Sequence, residues 1–541
     1  MNLPDNQKAR AGGRGAFVWL LLVLAVVTFI RIRLINMPLE RDEGDFAYGG
    51  QLMLQGISVY KEAYNVVMKL PGTCAAYALA MVAFGQTTAA IHGAVILVTL
   101  ATAVFVFLLA RRICGNSAGT VAAGAYALLS ISPPSLGLAA HATHFVMLPA
   151  VAGAFLLQRL DTRTGVTRIF CAGLLLGLAL VMKQTGAVFG IFAIVWVARC
   201  EFISEKKSWP RLVRRWSGLA LGGILPFGVM CALIALAGDW SQFWLWTFKF
   251  IPAHAAVITP VESLETAADM AEKLFLAAPG LWMLALAGII LLFYEPSLRP
   301  SRFFILSFVL CSAAAVYPGW RGHYFIQFFP AAGLLAGVAF YAVRPLLERL
   351  KISSSPAALM LPVFAVALAS PLLQWKGIYF TLTPAQASRA IYGTNPFPEA
   401  VEIGRYLAEH CPPAGRVAVL GSEPEIYFYS HRRAATGYVD MYALMEPQPY
   451  ALAMQKQMIG EIERANPEFV IFVQVPGSWT QYPGSQTLVF DWFDKYRSEH
   501  LRLAGLVEIP ADGPTVYRWF DSGDSNIQTS AQFWVAIFQR R

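Results

Sequence analysis

Eleven apolar stretches follow one another along the first 375 residues, near the length that crosses a bilayer except for the fifth and sixth, which are short and joined by Lys183-Gln184-Thr185-Gly186. They lie at about 16–35, 91–110, 118–136, 143–159, 168–182, 185–199, 217–237, 276–294, 303–319, 324–342 and 356–375. A hydrocarbon core about 30 Å thick needs roughly 20 such residues per helix. Composition agrees. Only 14% of residues are charged and 57% are hydrophobic, against about 25% charged in ordinary soluble domains. A soluble enzyme, a disordered chain and a disulfide-stapled secreted module are thereby excluded. The expected fold class is a multi-pass α-helical membrane protein.

Basic residues orient the spans. With the N-terminus in the cytoplasm, nineteen Lys and Arg fall in inner loops and nine in outer ones, up to residue 375. This is the asymmetry that the positive-inside rule requires. It also explains a net charge of +9 without nucleic acid as a partner. The orientation places residues 36–90, residues 238–275 and everything after Trp375 outside. Two domains are expected: a membrane core over 1–375, with 36–90 as its first outer loop, and an extracytoplasmic domain over 376–541.

The tail differs from the core, with charges throughout and Pro-rich joints. Arg416–Gly421 and Glu468–Val475 read as buried strands. Pro398–Cys411, Pro449–Arg464 and Gln486–Glu499 read as helices, and Leu501–Ile509 and Thr515–Phe520 as closing strands. Strand alternating with helix points to a small α/β layer domain. Cysteine adds little: the tail holds only Cys411, and no CxxC or Cys/His zinc spacing occurs.

The first outer loop carries the densest chemistry. Glu40-Arg41-Asp42-Glu43-Gly44-Asp45 follows the first span directly. Carboxylates beside lipid are costly unless partnered or used. One of them can take a proton from an attacking hydroxyl; the bland alternative is a solvated loop in which Arg41 pairs with its acidic neighbours.

Further residues supply a context. After the acidic pair come Gln51-Leu52-Met53-Leu54-Gln55-Gly56, then Tyr60, Tyr64 and Lys69-Leu70-Pro71. Gly173–Lys183 is a Gly-containing apolar helix ending in Lys. Arg321-Gly322-His323-Tyr324 leads to Phe329-Pro330 and Gly333-Leu334-Leu335-Ala336-Gly337. Over roughly residues 15–345 this order resembles the GT-C type glycosyltransferases. It is most similar to the branch with protein O-mannosyltransferases and lipid A aminoarabinose transferases. Lys-Leu-Pro replaces that branch's frequent Lys-Pro-Pro, Met68 stands where a polar residue is frequent, and no acid occurs in His141–Phe145.

The resemblance implies a GT-C-like core of about eleven transmembrane helices in the inner membrane. Its reaction would be inverting transfer of a sugar from a polyprenyl-phosphate lipid to a lipid, glycan or protein acceptor in the periplasm or outer leaflet. Asp42 is the implied catalytic residue, with Glu43 beside it. Lys69 is the implied phosphate contact, joined on the outer face by Lys183, Arg321 and His323. Tyr64, Tyr324 and His144 are the candidates for sugar or acceptor binding. No cofactor is expected beyond the lipid donor, no resident metal is assigned, and a monomer is expected. No GxGxxG or GxxxxGK[ST] loop is present.

Weaker signals stand beside these. His141 and His144, three residues apart, would share a helical face and with Asp42 or Glu43 offer metal ligands. Arg31 and Arg33 read as headgroup anchors, and Trp240, Trp244 and Trp246 as an interfacial helix or lid. Asp491-Trp492-Phe493-Asp494 partly matches the Trp-Trp-Asp motif of oligosaccharyltransferase catalytic subunits but falls on an amphipathic helix. Gly421-Ser422-Glu423-Pro424 follows a strand, where α/β domains place ligands, yet it lacks a phosphate fingerprint. The rival of another class is a transporter or flippase that binds a lipid phosphate without chemistry. Its signature would be an inverted repeat and broken central helices, of which only Pro133-Pro134 and Pro226 give a hint.

Overall fold

The computed structural model describes residues 5–64, 70–161, 163–205, 207–317, 319–349, 356–511, 513–521 and 527–541. The chain divides into two compact units. The first comprises Met1–Ile35, His92–Met230 and Pro260–Leu382; the second comprises Asn36–Ile91, Cys231–Thr259 and Thr383–Arg541. The expected domain boundary at 375/376 thus stands beside a division at Leu382/Thr383, and residues 36–91 fall with the C-terminal segment.

The first unit is helical. All eleven apolar stretches overlap helices, from Asp5–Arg33 to Pro356–Gln374. Length and apolarity alone single out fewer. Among the described residues, Thr88–Cys114, Gln184–Phe202, Trp209–Leu236 and Phe329–Arg349 are each sufficient to cross a membrane. Pro260–Ala277 and Pro279–Tyr294 pass only together, bent by 108° at Ala278. Ala142–Leu157 and Val166–Met182 are apolar but shorter. Two expected spans are shortened at identifiable breaks: Asn116–Leu129 ends before the Pro133–Ser135 turn, and Val166–Met182 ends at the extended backbone of Lys183.

Small residues set the helix contacts in this unit. Gly333 and Gly337, one turn apart on Phe329–Arg349, lie against the Ala122 and Ala118 carbonyls of Asn116–Leu129. A Cβ at either position would collide with that backbone, so the pair follows the small-xxx-small pattern of close membrane-helix packing.

The second unit holds a six-stranded mixed sheet of order β2-β1-β3-β6-β4-β5. Its strands are β1 Arg416–Leu420, β2 Arg433–Ala434, β3 Phe469–Gln474, β4 Leu501–Ile509, β5 Val516–Trp519 and β6 Phe533–Arg540. β1 runs parallel to β2 and β3; β6 is antiparallel to both β3 and β4. The sequence reading lacks β6, which sits inside the sheet between β3 and β4. The 36–91 segment contributes helices Arg41–Leu54, Val59–Glu62 and Gly72–Phe84. Trp246 is buried against Phe250 and Tyr438, and the His254 ring nitrogen lies 2.8 Å from Glu446. The 238–257 stretch is therefore fastened to the C-terminal segment rather than hanging as a loose lid, while Trp240 and Trp244 remain exposed.

Candidate active site

In the second unit the acidic cluster forms the start of helix Arg41–Leu54. Glu40 is extended and its carboxylate accepts the Glu43 amide at 3.0 Å; the Glu43 carboxylate accepts the Glu40 amide at 3.1 Å. This reciprocal capping box satisfies two of the donors that a helix start leaves unpaired. It separates three acids that look alike in the sequence. Glu43 and Asp45 are 0% and 2% exposed, whereas Asp42 is half-buried. Glu43, expected beside Asp42 as catalytic, is committed to starting the helix. Asp42 sits in the first turn, where the helix dipole favours its anionic form.

Arg41 does not pair with these neighbours. Its Nε donates to the Ser422 carbonyl at 2.5 Å and its Nη2 to Asn395 Oδ1 at 3.2 Å. Nη2 also meets Glu423 at 3.3 Å, and Nη1 donates to the Tyr442 hydroxyl. The loop Gly421–Pro424, placed by the sequence where a ligand would bind, is the seat of this guanidinium. Beside it Glu425 is fully buried, and burial together with the charge of Glu423 holds its carboxyl well above the usual range.

Tyr64, expected near sugar or acceptor, is tied into the same unit. Its amide donates to Gly437 O at 2.6 Å and its hydroxyl to Glu461 at 3.1 Å. Burial and the Glu461 charge push that phenol up to about 12. Its hydroxyl is thus committed to a carboxylate. Lys69, the implied phosphate contact, lies outside the described residues. Asp491–Asp494 is structural: Phe493 stacks on Phe472 of β3 at 4.7 Å, and Trp492 donates to Glu463.

The first unit brings the remaining candidates into one corner. Lys183 leaves helix Val166–Met182 in extended conformation, 7% exposed, with Nζ 3.4 Å from the ring centre of Tyr324. Tyr324 meets His323 edge to face at 4.7 Å, and His323 stacks on His141 at 4.3 Å. Arg321 is exposed at the head of the turn Gly322–Gln327. The two loops are fastened together: Thr185 donates to Gln327 at 2.7 Å, and Gln327 donates to Ala315 O at 3.0 Å. Gly322 lies on the Pro134 carbonyl, where no Cβ fits. The Lys183 ammonium, held over the Tyr324 ring, is positive charge of the kind that stabilises an oxyanion.

Three expectations are corrected here. His144 is buried, with Nε2 3.1 Å from Gly137 O, and fixes the 130–138 loop rather than facing a sugar. Arg31, read as a headgroup anchor, is 4% exposed and donates to Ser130 O and Gly137 O at 2.9 Å each. His141 and His144 do not share a helical face, because His141 is the N-cap with ψ 148° and its ring turns to His323. The sequence reading missed the partner of Arg41; its only signal was the unexplained Gly421–Pro424 loop.

Residues 70–227 match the model of the dolichyl-phosphate-mannose-protein mannosyltransferase family. Among curated protein sequences, none matches the chain. Solved structures do. ArnT from Cupriavidus metallidurans, bound to undecaprenyl phosphate, aligns with TM-score 0.53 at 16% identity, over 85% of this chain and 93% of that one. The oligosaccharyltransferase AglB from Archaeoglobus fulgidus, in complex with an inhibitory peptide and a dolichol-phosphate, aligns with TM-score 0.53 at 12% identity. It covers 95% of this chain and 75% of its own. The arabinofuranosyltransferase AftD from Mycobacteria aligns with TM-score 0.51 at 14% identity, over 96% of this chain and 41% of that one. The chain has the GT-C fold of these membrane proteins.

Proposed function

We propose that the chain transfers a sugar from a polyprenyl-phosphate donor to an acceptor hydroxyl on the outer side of the cytoplasmic membrane, with inversion at the sugar carbon. The observation that carries this reading is the distinct state of Asp42: of the acids at 42, 43 and 45, it alone is not sealed from solvent. Asp42 removes the acceptor proton as the acceptor oxygen bonds to the anomeric carbon. The bond from that carbon to the lipid phosphate breaks, and the polyprenyl phosphate departs with the electron pair. Lys183, Arg321 and His323 supply positive charge where the leaving phosphate becomes more negative. The lipid phosphates bound in the ArnT and AglB structures support this donor class.

The topology belongs to the same reading: eleven crossings, N-terminus inside and the Thr383–Arg541 segment outside. Reporter fusions at residues 113, 205 and 400 are expected to read inside, inside and outside. A cytoplasmic reading at 400 rejects the arrangement. The reaction is tested with purified protein in nanodiscs, radiolabelled polyprenyl-phosphate monosaccharides and envelope extract. Label is expected to leave the lipid with stoichiometric release of polyprenyl phosphate. Movement of intact donor between leaflets, with no cleavage, would replace the transferase reading with the flippase.

A further inference from the structure

We propose that the C-terminal segment positions Asp42 by clamping one face of helix Arg41–Leu54, with Arg41 and Glu423 as positioning residues. This rests on Asp42 being the base. The second unit contains both partners of the clamp, and every contact in it joins residues far apart in sequence.

The clamp follows the helix along its length. Just before the helix, the Leu39 amide donates to the Tyr429 hydroxyl at 2.8 Å. Arg41 is held by Ser422, Asn395, Glu423 and Tyr442, and its guanidinium lies 5.5 Å and 5.0 Å from the Phe397 and Tyr442 ring centres. One turn on, Gly44 touches the start of helix Glu425–Ser430, where an added Cβ would lie 2.5 Å from the Glu425 amide nitrogen. At the next turn the Ala434 amide donates to the Tyr48 hydroxyl at 2.9 Å. Then Gln51 Nε2 donates to Phe428 O at 3.2 Å.

Positions 41, 44, 48 and 51 step by three, four and three residues, so they share one helical face. At 100° per residue Asp42 points about 140° from the centre of that face. The tail therefore grips the helix from behind and leaves the Asp42 side of the first turn uncovered by the grip. Arg41, one residue before the base, sets the rotation of that turn. Its fork suits the task, because a planar guanidinium held by several acceptors resists rotation where a single bond would not.

The receiving loop is itself fixed. The Ser422 amide donates to Ser478 Oγ at 2.8 Å, Ser478 Oγ donates to Glu423 at 2.7 Å, and the Met441 amide donates to Ser422 Oγ at 2.8 Å. Glu423 is 0% exposed, so its carboxylate is aimed by burial at Arg41 and Ser478. These bonds turn a loop without a ligand fingerprint into a rigid receptor for one side chain of the first outer segment.

The test uses the full-length protein in nanodiscs, with Arg41→Met, Glu423→Gln and the milder Tyr442→Phe and Arg41→Lys. Two readouts are taken: amide hydrogen exchange of residues 41–54 against that of β3 and β6, and donor KM against kcat. The expected result is faster exchange confined to 41–54, kcat down tenfold or more in Arg41→Met and Glu423→Gln, and donor KM within about twofold. Arg41→Lys is expected to recover only part of kcat, because it restores charge without the fork. Tyr442→Phe, which removes one acceptor, should fall between Arg41→Met and wild type and keeps the test open if a harsher variant does not fold. Unchanged exchange in 41–54, or wild-type kcat in both Arg41→Met and Glu423→Gln, overturns the proposal. Asp42→Asn is run in parallel. Wild-type transfer by that variant would remove the base assignment, and with it the positioning role, even where exchange shows the helix to be held.

Discussion

The two stretches given chemical roles differ in the contacts that surround their charged groups. In the second unit, helix Arg41–Leu54 is fixed by hydrogen bonds that end mostly on backbone atoms or buried side chains. In the first unit, Lys183, Tyr324, His323 and His141 are arranged face to ring. A hydrogen bond prescribes distance and direction and weakens steeply when bent. A ring face prescribes distance and leaves direction open, at about 0.5–2 kcal/mol per contact. The first arrangement suits a base that must meet one proton. The second suits a phosphate, whose three oxygens accept charge from several angles. Substitution is expected to act sharply in the first stretch and gradually in the second.

Asp42→Asn is the most severe test of that contrast. It preserves shape and hydrogen bonding but cannot take a proton, so transfer is expected to fall about 10²–10⁴-fold with donor binding retained. Single amide variants of Glu43 and Asp45 should instead lower stability, since both are sealed and Glu43 closes the capping box. Activity assays paired with thermal unfolding check both. Full activity in Asp42→Asn beside a stable but inactive Asp45→Asn would move the base.

Lys183→Met comes next. It keeps the apolar stem over Tyr324 and removes the charge, so transfer is expected to drop about 10²-fold, the usual cost of one charge-stabilising donor. The effect should be largest for donors with poor leaving groups. A rate equal to wild type would make Lys183 a packing residue. Tyr324→Leu is expected to cost about 3–30-fold and Tyr324→Phe much less, because the ring rather than the hydroxyl faces the ammonium. Equal losses in the two variants would mean that the hydroxyl acts.

The sequence made some of this legible and hid the rest for identifiable reasons. Acids clustered after a span are visible because they are contiguous. The β-strands at 416, 469 and 501 are visible because each is a compact apolar run. What distinguishes Asp42 from Glu43 is a three-residue reciprocal cap, which a reading for charge alone passes over. The Arg41–Glu423 pair spans 382 positions, a separation that local pairing rules do not reach. The His141/His144 spacing misled because it assumes that both residues are helical, and His141 is the cap. Arg31 reads as a headgroup anchor and His144 as a sugar or acceptor contact, yet both meet carbonyls of the 130–138 turn that follows the helix Asn116–Leu129.

The smallest expected effect lies within the clamp itself. Glu425 is fully buried, and its carboxyl is raised well above 4.5 by burial first and by Glu423 second, against a smaller opposing pull from Arg41. Glu40 adds to the upward push. The folded state therefore holds this proton more tightly than the unfolded state does. Between the unfolded pKa near 4.5 and the raised folded value, folding takes up a proton and stability falls as pH rises. Below that window both states are protonated and the group contributes its full stability. Glu425→Gln keeps the shape of the neutral acid and removes the titration. The variant should match wild type at about pH 4 and become progressively more stable than wild type toward neutral pH. Transfer activity should change little, because Glu425 touches Gly44 through its backbone and Cβ. Thermal unfolding of both proteins across this range decides it. A Glu425→Gln variant less stable than wild type at neutral pH would show that the carboxylate is ionised and paired in the fold, and that the clamp holds Arg41 between two charges rather than one.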